Sequence, residues 1–149
     1  MKDKILMVDF EATCCNNDEF PRDEMEIIEI GYALVDLKSN ELLSNSGVFV
    51  RPLIHTELTD FCTELTGIDQ DMVSFAGTLD LSLNLMMMNL EQWKVNKYNT
   101  IWGSWGYFDK NILRNNCNMH NFKNPLKDFK HTNLKNVFAE NQFCKPRGY

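Results

Sequence analysis

Ile5-Leu6-Met7-Val8-Asp9-Phe10-Glu11-Ala12-Thr13-Cys14 is the stretch on which the fold turns. Apolar residues run straight into two carboxylates that sit one residue apart. A short unbroken apolar run followed by turn-prone residues reads as a buried strand. Side chains alternate along a strand, so Asp9 and Glu11 point to the same face. Two carboxylates on one face repel each other unless a cation lies between them. Open α/β sheets place their ligands at the ends of central strands. The pair therefore reads as a hard-cation site, with Mg²⁺ or Mn²⁺ the expected ions. The plainer alternative is a strand that runs into an acidic loop.

Outward from this stretch, the chain has 149 residues, 44% of them hydrophobic, which suits one domain over residues 1–149 with a substantial core. A formal net charge of −6 argues against a general electrostatic grip on nucleic acid. A local basic patch can still coexist with an acidic site. The cysteines are Cys14, Cys15, Cys62, Cys117 and Cys144, an odd and scattered set with no C-x-x-C pair. They read as reduced thiols of a cytoplasmic protein rather than a zinc site. The apolar run near Met1 is too short for a signal peptide, and Leu79–Leu90 is too interrupted to span a bilayer.

Strands are predicted over Lys4–Asp9, Glu26–Val35 and Leu42–Val50, an antiparallel meander with short connections. The pattern then becomes helical. Thr56 is the expected N-cap of a helix through Leu58, Phe61, Cys62 and Leu65, which Gly67 stops. Asp69–Val73 is a capped turn, and Thr78 or Asp80 opens a longer helix through Leu83, Met86, Met87, Leu90 and Trp93. The methionine run Met86-Met87-Met88 reads as core filler. Tyr98–Trp105 is a fourth strand, Tyr107–Met119 a helix with Phe108, Ile112 and Leu113 on one side, and Lys130–Leu134 a short fifth strand before a helix near Asn136–Asn141. Strands followed by alternating helix and strand indicate a layered α/β domain.

Val8-Asp9-Phe10-Glu11-Ala12-Thr13-Cys14 resembles the first motif of the DEDDh 3′→5′ exonucleases (RNase T-like). Further similarity runs in the same order through Phe49-Val50-Arg51-Pro52, Leu58-Thr59-Asp60-Phe61-Cys62, Leu65-Thr66-Gly67-Ile68 and Gly103-Ser104-Trp105-Gly106-Tyr107-Phe108-Asp109. The likeness is to the branch with the histone-mRNA 3′-exonuclease, the enhanced-RNAi exonucleases and bacterial sporulation-inhibitor exonucleases. It implies an RNase H-like fold, a mixed five-stranded sheet flanked by helices. It also implies hydrolysis of single-stranded nucleic acid, with RNA favoured over DNA, to nucleoside 5′-monophosphates by two divalent ions.

By the same resemblance, Asp9, Glu11 and Asp109 would hold the ions. Phe10, Ala12 and Thr13 would lie at the terminal nucleotide, with Leu65 and Thr66 approaching it. Phe61 and Trp105 would sandwich its base. From the residues alone, Asp109 is a dipole-friendly first-turn carboxylate, Phe61 fits the apolar stripe of its helix, and Glu26 and Glu29 are salt-bridge or solvent-facing groups. The family also uses a C-terminal His-x-x-x-x-Asp, the His as general base. These 149 residues hold that spacing only at His55 and Asp60, between the first two motifs, where it reads as coincidence. Lys145-Pro146-Arg147-Gly148-Tyr149 resembles the approach to the missing helix. The chain is expected to be incomplete at its C-terminus, lacking that helix and impaired in activity, with apolar surface open to self-association. The alternative is a non-catalytic remnant that binds single-stranded 3′ ends or a protein partner.

Overall fold

A computed structural model describes residues 1–143. Five strands, β1 (Lys4–Ala12), β2 (Ile27–Asp36), β3 (Leu42–Phe49), β4 (Thr100–Ser104) and β5 (His131–Asn133), form one sheet in the order β3-β2-β1-β4-β5. β1 is central. It pairs antiparallel with β2 and parallel with β4, and β5 extends the parallel side. The mixed sheet expected from the sequence is the one observed. β1 runs three residues beyond its predicted end, so Asp9 and Glu11 both lie within the strand. A register shift falls at Glu11/Ala12, after which Ala12 still pairs with Ile27 of β2.

The period of two in β1 sorts its side chains. Leu6, Val8 and Phe10 are buried opposite Leu34, Tyr32 and Ile30 of β2. Helices α3 (Leu79–Leu90) and α4 (Phe108–Met119) cover that face with Leu83, Met86, Leu90, Ile112 and Leu113. The opposite face carries Met7, Asp9 and Glu11 and is more open. Helix α5 (Leu134–Asn141) covers its β4 end, where a side chain at Gly103 would meet Leu134 Cγ at 3.0 Å. Two short helices, α1 (Asp60–Thr66) and α2 (Gln70–Ser74), build a smaller core of Ile28, Cys62, Ile68 and Val73.

Three local expectations are corrected. α1 is capped by Thr59, not Thr56, because the Thr59 hydroxyl both accepts from Cys62 N and donates to Cys14 O at 2.6 Å. Leu58 lies outside that helix, and Leu65 is 66% exposed. Phe108 is exposed at the first residue of α4, while Ile112 and Leu113 point inward. Of the methionine run, Met86 is core, Met87 packs against it and Met88 is exposed. Among the described residues the cysteines are free, and no helix is long and apolar enough to cross a membrane. Cys144 and the 145–149 segment lie outside the described residues.

Candidate functional site

Asp9 and Glu11 leave the same face of β1, Asp9 exposed and Glu11 half-buried. Asp109, in the first turn of α4, is only 4% exposed and comes to the same strand from the other side. Its Oδ1 accepts from Phe10 N at 2.8 Å. The main chain between the two β1 carboxylates therefore holds the third. Oδ2 of Asp109 is left for another partner.

The three carboxyls feel one another. Burial, then Asp9, Glu29 and Asp109, raise the pKa of Glu11. Glu29 is the residue directly opposite it on β2. Burial pushes Asp109 from 3.8 up to about 6, with Asp9 adding to the rise and the Phe10 amide opposing it. Uncompensated negative charge of this kind is what a divalent cation neutralises, and all three groups offer the hard oxygen donors such an ion takes. The donor set fits. Among the described residues, though, no three His, Cys, Asp or Glu side chains are already gathered tightly enough to hold an ion.

Phe10, Ala12 and Thr13 are buried, and the Thr13 hydroxyl accepts from Glu26 N at 2.9 Å. Their side chains pin β1 to β2, which leaves main-chain atoms as their means of meeting a ligand. The Thr59–Cys14 bond and a Cys62 Sγ to Ala12 O contact at 3.6 Å tie α1 to the end of β1. They bring half-buried Phe61 and exposed Leu65 to that end of the sheet. The Thr66 hydroxyl is occupied within its own helix turn, donating to Cys62 O and accepting from Ile68 N.

Trp105 sits past the end of β4, 41% exposed and tilted against Phe138 of α5 at 5.8 Å. With Asp9, Met7, Gly31, Ala33 and Leu134 it borders an open cavity of about 420 Å³. The following Gly106 has φ +93°, which side-chain-bearing residues rarely adopt. Its N–H donates to Asn133 Oδ1 at 3.1 Å, and its carbonyl accepts from the Ser104 hydroxyl.

The sequence reading missed Asn133. Its single side-chain oxygen holds the Trp105–Gly106 bend and also caps α5 by accepting from Lys135 N and Asn136 N. An Asn directly before a helix was the available signal. Glu26 is a buried salt-bridge group, accepting from Leu53 N and Ile54 N and meeting His120 Nε2 at 2.9 Å.

A family model described as Exonuclease (RNase_T) matches residues 6–143. The human protein named 3′-5′ exoribonuclease 1 is 34% identical over 97% of this chain. The chain spans 42% of that relative's length. The solved nuclease domain of 3'hExo, described as a DEDDh family member bound to rAMP, superposes with a TM-score of 0.86 at 31% identity. That match covers 97% of this chain and 73% of the solved one. A 3′-exonuclease solved in 3′-end-specific recognition of a histone mRNA stem-loop gives the same TM-score at 30% identity, covering 97% of this chain and 65% of that one.

Proposed function

The chain belongs to the RNase_T exonuclease family, and from that membership we propose that it shortens single-stranded RNA from the 3′ end. The products would be nucleoside 5′-monophosphates. The observation that carries this reading is the Asp109 carboxylate held on the Phe10 amide, between Asp9 and Glu11.

In this reading Asp9, Glu11 and Asp109 hold Mg²⁺ or Mn²⁺. Those ions, when bound, supply charge for an attacking water and a leaving 3′ oxygen. The protein's own work is positioning. The Phe10 amide orients Asp109 and leaves Oδ2 free. The main chain of Ala12 and Thr13, fixed by its pairing to Glu26, lines the place for the terminal sugar. Phe61 and Trp105 offer ring faces to the terminal base, a contact worth about 1–3 kcal/mol per base and tolerant of sequence.

The 149 residues supply three carboxylates and no His-x-x-x-x-Asp after Asp109. We therefore infer that they act slowly by themselves, since a general base is worth about 10²–10⁴-fold. A segment carrying that motif would restore the rate. The lack of a His-x-x-x-x-Asp after Asp109 in these 149 residues favours a second reading, a module that holds single-stranded 3′ ends, or a protein partner, without cleaving. The open Met7–Asp9 face would be its contact surface, or would pair two copies. The free thiols suit a reducing compartment such as the cytoplasm.

The deciding experiment incubates 5′-labelled RNA and matched DNA with Mg²⁺ or Mn²⁺. Stepwise 3′ shortening abolished by EDTA and by Asp9→Ala is expected, with RNA the faster substrate. Binding without shortening, even with a His-x-x-x-x-Asp segment supplied, would establish the second reading.

A further inference from the structure

Between α4 and the segment leading into β5 lies a cavity of about 440 Å³. Lys110, Arg114, Lys123 and Lys127 line it, Trp102 and His131 contribute to its wall, and no Asp or Glu does. Lys110 and Arg114 are one turn apart on α4 and share a face. All four cations are exposed, and among the described residues none has a carboxylate within salt-bridge distance.

The charge is segregated. From Lys110 to His131 the sequence holds five Lys or Arg and a single acid, Asp128, in a chain of net charge −6. Four like charges around one cavity repel each other unless an anion joins them. Their field reaches inside, because His131 is made less basic first by burial and then by Lys110. The wall is firm. The Trp102 ring is buried and meets His131 edge-on at 4.4 Å, and half-buried Phe122 and Phe129 continue the apolar lining. Cations over an aromatic wall suit phosphate groups that carry sugars and bases.

We propose that this cavity binds phosphates of the RNA strand upstream of the 3′ end held at Asp9, Glu11 and Asp109. The inference rests on the nuclease reading above. Lys110 follows Asp109 directly on α4, and the cavity extends along the helix to Asn118, about 12 Å farther at 1.5 Å per residue. The cavity lies on the α4 side of the sheet, since Trp102 is in register with Leu6. A strand leaving the carboxylates would therefore cross the start of α4 at Asp109 and Lys110 to reach this row of cations, while the acidic remainder of the surface repels it from other paths.

The test is equilibrium binding of the full chain in EDTA, followed by fluorescence anisotropy. The probes are 5′-labelled oligouridylates, one with a free 3′ hydroxyl and one with a 3′ phosphate. The variants are Lys123→Glu/Lys127→Glu and, on the other wall, Lys110→Gln/Arg114→Gln. Lys38→Glu/Lys97→Glu is the distant control, and thermal melts check that each variant folds. Each cavity pair is expected to weaken binding of both probes about tenfold and to reduce the salt slope by about 1.4, two single-strand phosphate contacts' worth. The control pair leaves both nearly unchanged.

Cavity variants that bind like wild type would overturn the inference, and the nuclease reading would survive if Mg²⁺ still supports 3′ shortening. Cavity-dependent binding without shortening by Mg²⁺ or Mn²⁺, His-x-x-x-x-Asp segment included, would do the reverse. Failure of the wild type to bind either probe, or tighter binding of polyglutamate than of oligouridylate, would also overturn the inference.

Discussion

Burial of Asp109 carries a thermodynamic cost that its bond from the Phe10 amide only partly offsets. Its carboxyl titrates near 6 in the fold against an ordinary 3.8. Between roughly pH 4 and 6 the folded form therefore binds more protons than the unfolded form, and stability falls as pH rises through that window. Above about pH 6 the penalty is complete. Asp109→Asn keeps an acceptor for Phe10 N–H and removes the charge. It should raise stability at pH 8 by about 1–3 kcal/mol and change little at pH 4, measured by urea unfolding. The same substitution should abolish 3′ shortening. Glu11, raised by burial and by three neighbouring carboxylates, leads to the same expectation for Glu11→Gln with a smaller gain, because it is half-exposed. A stabilising substitution that removes activity marks a residue retained for its chemistry rather than for the fold.

The elements that carry the site are fastened by side-chain-to-backbone bonds in addition to their apolar packing. Asn116 of α4 is fully buried. It accepts from Ile27 N at 2.8 Å and donates to Met25 O at 2.9 Å, fastening the helix of Asp109 to the start of β2. Asn116→Ala should cost about 2–4 kcal/mol, since both main-chain partners are left buried and unpaired. Thr59 does the same for α1. Thr59→Ala should cost about 1 kcal/mol as a lost cap and weaken RNA binding, while cation affinity by calorimetry stays unchanged. These bonds explain what the sequence could and could not reveal. The period of two in β1 and the turn residues around β2 and β3 are local signals, so strands and sheet class were readable within a few residues. Thr56 and Thr59 are both reasonable caps locally, and only the carbonyl of Cys14, 45 residues away, decides between them. Phe108 kept a helical period yet stayed exposed, because it is the first residue of α4. Asp9 and Glu11 could be paired by spacing. Asp109 could be joined to them only through family resemblance, since no local pattern spans 99 residues.

Across the whole molecule, charge and stability are linked through the carboxylates. A cation that binds only the folded protein stabilises it by mass action, and its affinity falls as Glu11 and Asp109 take up protons. Millimolar Mg²⁺ or Mn²⁺ should therefore raise the melting temperature at pH 7.5, and the rise should vanish by about pH 5. Asp9→Ala should remove it at every pH, as seen by differential scanning calorimetry without any substrate. Parallel pairing of β1 with β4 also has a consequence in time. Asp9 and Glu11 flank Phe10, which is synthesised 99 residues before the Asp109 that its N–H will hold. At about 5–20 residues per second, the nascent chain spends roughly 5–20 s with the first two carboxylates made and the third still to come. On the ribosome, beside the very class of polymer it is proposed to cut, the protein is unarmed until its second half has emerged.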